Sequence, residues 1–185
     1  MKKVSDIHAI KIIFFITACY VGLWAIRIPT IKDQLQTDYV GVGYIMLSFA
    51  IGSIVAMIFA NALILKTSTK SILTCTLIAE GCLWLPVPFI QELWLFMVFS
   101  FVFGMSYGAF EIACNVYASN LEVREKKSMM SGFHAFWSLG VLFGSLITSF
   151  LLEWNYSFIF NILLYVIILL PLSLYFVFCL ETQVE

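Results

Sequence analysis

The chain has 185 residues, of which 62% are apolar and 11% carry a charge. An ordinary soluble domain is about 45–50% apolar and about 25% charged. The composition therefore excludes a soluble globular protein, because 10 basic and 11 acidic side chains cannot cover a particle that must also hold 18 phenylalanines. A membrane-spanning helix needs about 20 mostly apolar residues. The length thus allows about six spans, and any function must be built from the helices themselves.

Six long apolar runs, separated by short connections, are predicted to be transmembrane helices. They lie near residues 8–28, 42–65, 71–90, 94–119, 129–151 and 156–180. The connections contain no linker and no low-complexity tract, so residues 1–185 are predicted to form a single all-α membrane domain.

The basic N-terminus followed by an apolar run resembles a signal peptide. The run is longer than a signal core of about 7–15 residues, and it is interpreted as a retained first helix.

The distribution of basic residues predicts the orientation of the spans. Arg27 and Lys32 fall in the connections on one side of the membrane. Eight basic residues fall on the other side, with the N-terminus: Lys2, Lys3, Lys11, Lys66, Lys70, Arg124, Lys126 and Lys127. Cytoplasmic segments are enriched in Lys and Arg, so both termini are predicted to be cytoplasmic. Six spans also divide into three plus three, which permits an inverted repeat, although no residue-level match between the two halves is visible.

Two carboxylates lie deep in predicted spans, where a charged side chain costs roughly 2.5–3.5 kcal/mol on insertion scales. Glu80 in span 3 has no polar stripe of its own and is interpreted as structural. Glu111 in span 4 belongs to a stripe with a spacing of four residues, which places its members on one helix face. The stripe consists of Tyr107, Glu111, Asn115 and Ser119. It predicts a substrate- or proton-binding face; the alternative is a set of hydrogen bonds between helices.

Spans 5 and 1 supply further polar candidates. His134 and Ser138 share a face of span 5, and the short turn before that span could bring His134 within direct or water-mediated reach of Glu111. A carboxylate and an imidazole in a cavity suit a proton relay, although a lone membrane histidine is as often a packing residue. In span 1, Trp24 and Arg27 predict an anion- or hydroxyl-binding site. The alternative there is a snorkelling cation in an aromatic belt.

Small residues recur at every fourth position of two spans and predict close helix contacts. The rows are Ser48, Gly52, Ala56 and Ala60 in span 2, and Gly132, Phe136, Gly140 and Gly144 in span 5. In span 4, Gly104 and Gly108 frame a sequence that fits the nucleophile elbow of hydrolases. That motif needs a strand-to-helix turn, whereas here it lies within an apolar helix, where such glycines serve packing. No enzymatic activity is predicted.

No cofactor, metal site or nucleic-acid partner is predicted either. The five cysteines all fall in apolar stretches and form no CxxC pair. They are interpreted as small buried apolar residues, and not as a disulfide framework or a metal site.

Three segments resemble the N-terminal half of the major facilitator superfamily, in its fucose-permease-like, bacterial inner-membrane branch. They are GLWAIRIPTIK at 22–32, GMSYGAFEIACN at 104–115 with Glu122 after it, and SGFHAFWSLG at 131–140. The resemblance implies half of a major facilitator fold and transport of a sugar or another small solute by alternating access, with or without a coupled proton. It implies that Glu111 takes the place of the acidic residue that sugar/proton members use in the fourth helix. His134 and Arg27 match positions that are frequent in this branch.

The sequence also departs from the family pattern. The superfamily's loop between helices 2 and 3 usually reads Gly-x-x-x-Asp-Arg-x-Gly, whereas residues 61–68 read NALILKTS. The acidic residue that fucose-type carriers place in helix 1 is missing from the stretch LWA at 23–25. These departures put the gating contacts of that loop and fucose as a substrate in doubt.

Six spans are half of what the resembling carriers have. The main hypothesis is a half-transporter that works with a second six-helix half, supplied by another copy or another chain, with the contact expected on the rows around Gly52 and Gly140. The alternative is a truncated, non-transporting carrier remnant or a membrane interaction protein. In each case the protein is expected to be multi-pass, surrounded by lipid, and located in a bacterial inner membrane.

Overall fold

The computed structural model describes residues 5–181, without the side chains of residues 61, 62 and 65. Lys2 and Lys3, on which the predicted orientation partly depends, lie outside that part. Within it the chain forms six long α-helices, all long and apolar enough to cross a membrane. They are α1 (Asp6–Gln34), α2 (Tyr39–Lys66), α3 (Thr69–Trp84), α4 (Leu93–Glu125), α5 (Met130–Glu153) and α6 (Phe158–Cys179).

Several helices extend beyond the predicted apolar runs. Helix α1 continues through Pro29 to Gln34, a position that a transmembrane helix tolerates because neighbouring groups satisfy the carbonyl that proline leaves free. Helix α4 continues to Glu125, so the connection to α5 is shorter than the predicted turn at 121–127. Helix α3 ends earlier than predicted, at Trp84, and a short 3₁₀ turn at Val87–Phe89 follows.

Side-chain caps explain where three of the helices begin. The carboxylate of Asp38 accepts hydrogen bonds from the backbone N–H groups of Val40 and Gly41 at the start of α2. Ser68 and Ser157 cap α3 and α6 in the same way. Such oxygens satisfy N–H groups that the first helical turn leaves without a partner. The short connections between the apolar runs therefore carry the residues that start the helices.

The helices pack in a pattern with internal symmetry. The most extensive contacts join α1 with α5 and α2 with α4; smaller ones join α3 with α4, α1 with α6, and α3 with α6. The pattern is unchanged when α1 is exchanged with α4, α2 with α5 and α3 with α6. Since α1 and α4 run in opposite directions through a six-span bundle, the exchange corresponds to an inverted repeat of three helices.

Glycines allow the two principal helix pairs to touch through their backbones. A methyl group added at Gly104 of α4 would collide with the carbonyl oxygen of Phe49 in α2, and one added at Gly140 of α5 would collide with that of Phe15 in α1. Four further glycines make contacts of the same kind: Gly52 and Gly108 between α2 and α4, and Gly22 and Gly144 between α1 and α5. This is the small-residue packing of membrane helices.

The same contacts correct the expected position of an intermolecular interface. The rows around Gly52 and Gly140 were expected to meet a second copy or chain, but both glycines face helices of their own chain. They are therefore not available to a partner. Gly132, in the same row of α5, has open space around it and takes no part in the crossing.

The thiols divide between the interior and the outer surface of the bundle. All five cysteines are free; Cys19 and Cys114 are buried, whereas Cys75 and Cys82 are exposed. The prediction that all of them are buried is thus wrong for the exposed pair. In a membrane protein an apolar stretch can face lipid as well as the interior, because lipid tails are as apolar as the core.

Candidate functional site

A cavity of about 250 Å³ lies between α1, α2, α3 and α4. Eight of its lining residues are aromatic: Tyr20, Trp24, Phe49, Trp84, Phe96, Phe99, Phe103 and Tyr107. They belong to the second half of α1, the end of α3 and the first half of α4, together with one residue of α2. The cavity therefore lies toward the end of the bundle opposite the N-terminus, which is the outer side in the predicted orientation.

Glu80 lines this cavity. The residue is 6% exposed, and its carboxylate makes no hydrogen bond or ion pair within residues 5–181. It lies four residues before Trp84, about 6 Å along α3. Burial of a carboxylate without a partner costs free energy. The position of Glu80 beside a cavity therefore indicates a binding role more strongly than its depth in the membrane does. A signal was present in the sequence, because Thr76, Glu80 and Trp84 share one face of α3 at a spacing of four.

The indole of Trp84 organises the aromatic wall. It stacks on the ring of Tyr20 with centroids 6.0 Å apart and meets the rings of Trp24 and Phe103 edge-on at 6.3 Å and 5.6 Å. Such geometries are favoured by the ring quadrupoles. Trp84 is fully buried, and its Nε1 donor has no hydrogen-bond partner in the part of the chain that the structure describes. The wall is therefore held by ring contacts.

The predicted stripe of α4 meets the cavity at one end. Tyr107 lines the cavity, and its ring lies 5.5 Å from that of Phe49. Glu111 and Asn115 follow one and two turns further along α4, are half-buried, and are not part of the lining. The cavity thus contains Trp24 and Tyr107 from the predicted site residues.

Arg27 lies elsewhere and contacts the start of α6 and the residue Tyr156 before it. It is 2% exposed, and its Nε donates to Oδ1 of Asn161 over 3.1 Å. Its Nη2 donates to the carbonyl oxygen of Tyr156 over 3.3 Å, and the guanidinium lies over the ring of Phe158 at 5.4 Å. These contacts fasten α1 to α6 and leave the guanidinium outside the cavity lining.

His134 and Ser138 lie on an exposed face of α5. The imidazole meets the ring of Phe14 edge-on at 5.6 Å, and the hydroxyl of Ser138 donates to the carbonyl oxygen of His134 over 3.1 Å. Within residues 5–181, no hydrogen bond or ion pair joins His134 to Glu111. The reason is the glycine crossing, which packs α5 along α1 and leaves little contact between α5 and α4.

Comparison with known proteins identifies the family of this bundle. The family model of the Major Facilitator Superfamily matches residues 12–184. The chain belongs to the Major Facilitator Superfamily. Its six helices and their symmetric pairing confirm the predicted half of a major facilitator fold. The matches do not reach the level of a branch, and the fucose-permease-like assignment stays a prediction.

Two bacterial members of the superfamily are similar to the chain. An uncharacterized MFS-type transporter of Yersinia pestis is 28% identical over 145 residues, which cover 77% of this chain and 37% of the relative. An uncharacterized transporter of Sinorhizobium fredii is 25% identical over 141 residues, covering 71% of this chain and 35% of the relative. The chain thus spans little more than a third of the length of these relatives. No solved structure matches it significantly. The two relatives are both named as transporters. The family is therefore one of transporters and not of enzymes.

A polar cluster ties this superfamily member together at its N-terminal end. Arg124 of α4 pairs with Asp6 of α1 at 2.9 Å and with Glu181 after α6 at 3.4 Å. The backbone N–H of Glu181 donates to the other oxygen of Asp6, and the hydroxyl of Tyr117 donates to the Glu181 carbonyl. From the sequence, Arg124 indicates only the orientation of the spans, because its partners lie far away along the chain.

Glu122, one of the residues that carried the family resemblance, has a local structural role. Its carboxylate accepts hydrogen bonds from the backbone N–H groups of Met129 and Met130, the latter over 2.7 Å. These groups open helix α5, so the end of α4 caps the start of the next helix. No three His, Cys, Asp or Glu side chains of residues 5–181 come together as ligands for a metal ion.

Proposed function

We propose that this chain moves a small solute across the membrane by alternating access, as one six-helix half of a carrier that is completed by a second six-helix half. The cavity between α1, α2, α3 and α4 carries the proposal, because it joins a space of small-molecule size to a buried carboxylate without a partner. Binding sites are concave and mostly apolar, with few polar groups. The resemblance implies a sugar or another small solute, with or without a coupled proton.

The stripe of α4 is proposed to continue the solute path away from the cavity. Tyr107 lines the cavity, and Glu111 lies about 6 Å further along the helix. Glu111 and Asn115 are half-buried, so their polar groups remain accessible to a solute or a proton. His134 and Ser138 are exposed on α5 and are proposed to face the same path once the second half is present. Arg27 is proposed to position α1 beside the cavity through its contacts with α6.

The second half is proposed to pack on helix faces that the single chain leaves open. Helices α2 and α5 expose large apolar side chains along most of their lengths, among them Ile51 and Ile54 of α2 and Leu142 and Leu146 of α5. These faces are distinct from the glycine rows that are occupied within the chain. With both termini on the cytoplasmic side, two such halves would lie parallel in the membrane. A bacterial inner membrane is proposed as the location, since both relatives are bacterial.

Uptake into proteoliposomes tests this function. Saturable uptake of a sugar, amine or other small solute from a broad panel is expected for the wild-type protein, and Glu111→Gln is expected to reduce it at least tenfold. Glu153→Gln is the matched control, because Glu153 is exposed at the end of α5. Absence of uptake across the panel would favour the alternative, a non-transporting remnant or an interaction protein. Equal uptake by both variants would remove Glu111 from the path.

A further inference from the structure

We propose that the cavity between α1, α2, α3 and α4 binds a small organic cation, such as a quaternary or primary ammonium compound, through the Glu80 carboxylate and the surrounding aromatic faces. The proposal rests on the proposed function in one respect: it takes this cavity to be a solute site. It adds the charge and the chemical class of the solute, which differ from the sugar that the family resemblance implies.

The charge of the lining is the first argument. Among the residues that line the cavity, Glu80 is the one that can carry a charge, and there is no Lys, Arg or His. Glu80 is 6% exposed as a residue, and no ion pair within residues 5–181 balances its carboxylate. A charge in the membrane interior needs a partner. A cationic solute would be that partner.

Three basic groups of the described chain are engaged elsewhere. The closest basic residue along α1, Arg27, gives its Nε to Asn161 and its Nη2 to the Tyr156 carbonyl. Lys32 pairs with Asp33 at 2.7 Å near the end of the same helix. Arg124 pairs with acidic residues at the far end of the bundle. Neutralisation of Glu80 by any of these three side chains would require its present contacts to break.

The aromatic wall is the second argument. A cation is attracted to the face of an aromatic ring within about 6 Å, most strongly to tryptophan, and more so when the site is desolvated. Trp84 and Trp24 meet at 61° and Trp84 and Phe103 at 85°. Rings at such angles do not form one flat surface, so the wall combines rings of different orientation. The carboxylate of Glu80 lines the same space.

A sugar fits this lining less well. Each buried hydroxyl of a sugar needs a hydrogen-bond partner, because a buried polar group without one is destabilising. Apart from Glu80, the side chains of the lining that can form hydrogen bonds are Ser100, Tyr20, Tyr107 and the two indoles, Trp24 and Trp84. The hydroxyl of Tyr20 already donates to the carbonyl of Tyr165 over 3.4 Å.

A pair of matched probes tests the charge requirement on the unaltered protein. Choline and 3,3-dimethyl-1-butanol have nearly the same shape, but choline carries a positive charge. Binding is measured by calorimetry on the purified chain in lipid nanodiscs, with empty nanodiscs subtracted. Choline is expected to bind at least tenfold more tightly than the alcohol. Equal affinities, or tighter binding of the alcohol, would overturn the proposal, and this comparison does not depend on any variant folding.

Two variants then locate the binding. Glu80→Gln keeps the size of the side chain and is expected to weaken choline binding at least tenfold, while binding of the alcohol changes less than twofold. Glu92→Gln is the control, because Glu92 is exposed before α4 and should leave both affinities unchanged. Unchanged choline binding in Glu80→Gln would overturn the proposal. If Glu80→Gln elutes as aggregate, Trp24→Leu replaces it, with the same selective loss of choline expected.

Failure of this proposal and failure of the proposed function give different results. Saturable uptake of a neutral solute, without choline binding, would retain the carrier and reject the cation. Choline binding that depends on Glu80, without uptake of any solute, would retain the cation site and reject transport by this chain.

Discussion

Arg27 of α1 and Asn161 of α6 form a buried hydrogen bond, with 3.1 Å between Nε and Oδ1. The arginine is 2% exposed and the asparagine fully buried. Within residues 5–181 the Nδ2 donor of Asn161 has no partner. The orientation of the amide is therefore set by the hydrogen bond that its Oδ1 accepts from the Arg27 guanidinium. This contact is one of those that join α1 and α6 at the end of the bundle near the cavity.

Removal of the Asn161 amide should weaken the bundle. Asn161→Leu would leave Arg27 Nε buried without an acceptor, and a hydrogen bond to a charged group contributes about 1.5–3 kcal/mol. We expect a loss of unfolding free energy of that size, measured by thermal or chemical unfolding in bicelles. Tyr156→Phe is the control, because Arg27 contacts only the backbone carbonyl of Tyr156. Equal stability of wild type and Asn161→Leu would show that the contact contributes nothing.

The crossing of α2 and α4 should tolerate no side chain at its centre. Gly104→Ala would force a methyl group against the backbone carbonyl of Phe49, and overpacking of this kind costs about 1–3 kcal/mol. Gly132→Ala meets open space and should be stabilising by up to about 1 kcal/mol, since alanine is the better helix former. The stability of each variant is measured as the shift of its thermal unfolding midpoint. The midpoint is expected to fall for Gly104→Ala and to rise for Gly132→Ala. Equal destabilisation would contradict the view that Gly104 is packed against backbone and Gly132 is not.

The connection between α4 and α5 should depend on the acceptor at residue 122. Glu122→Ala removes the oxygen that binds the N–H groups of Met129 and Met130, so amide hydrogen exchange at 129–133 should become faster. Glu122→Gln keeps an acceptor oxygen and should restore most of the protection. Unaltered exchange in Glu122→Ala would mean that the first turn of α5 is held by other contacts.

The features that could be predicted from the sequence are those that depend on local spacing. Apolar runs predicted six helices, and glycines four residues apart predicted close helix contacts, although not their partners. The partner of Gly140 is Phe15, which lies more than a hundred residues earlier, and spacing within α5 carries no information about it. The interface expected on that row was wrong for this reason.

The candidate site could be predicted only in part for a related reason. Tyr107 and Trp24 stood out because each belongs to a polar or aromatic row on its own helix. The cavity lies between four helices, and its wall combines rings such as Tyr20 and Trp84 from different helices. Glu80 was interpreted as structural because its neighbours along α3 are largely apolar. Only the packing of α1, α2 and α4 around it reveals the open space on its face.

The central claim is that this cavity is the solute site of a carrier, and a blocking substitution tests it most directly. Val21→Trp places a large side chain in the lining, whereas Val123→Trp adds the same volume at an exposed position near the end of α4. Solute uptake is measured in proteoliposomes for both variants, after each is shown to be monodisperse by size-exclusion chromatography. The account predicts that Val21→Trp abolishes saturable uptake and Val123→Trp retains it. Equal uptake by the two variants would contradict it.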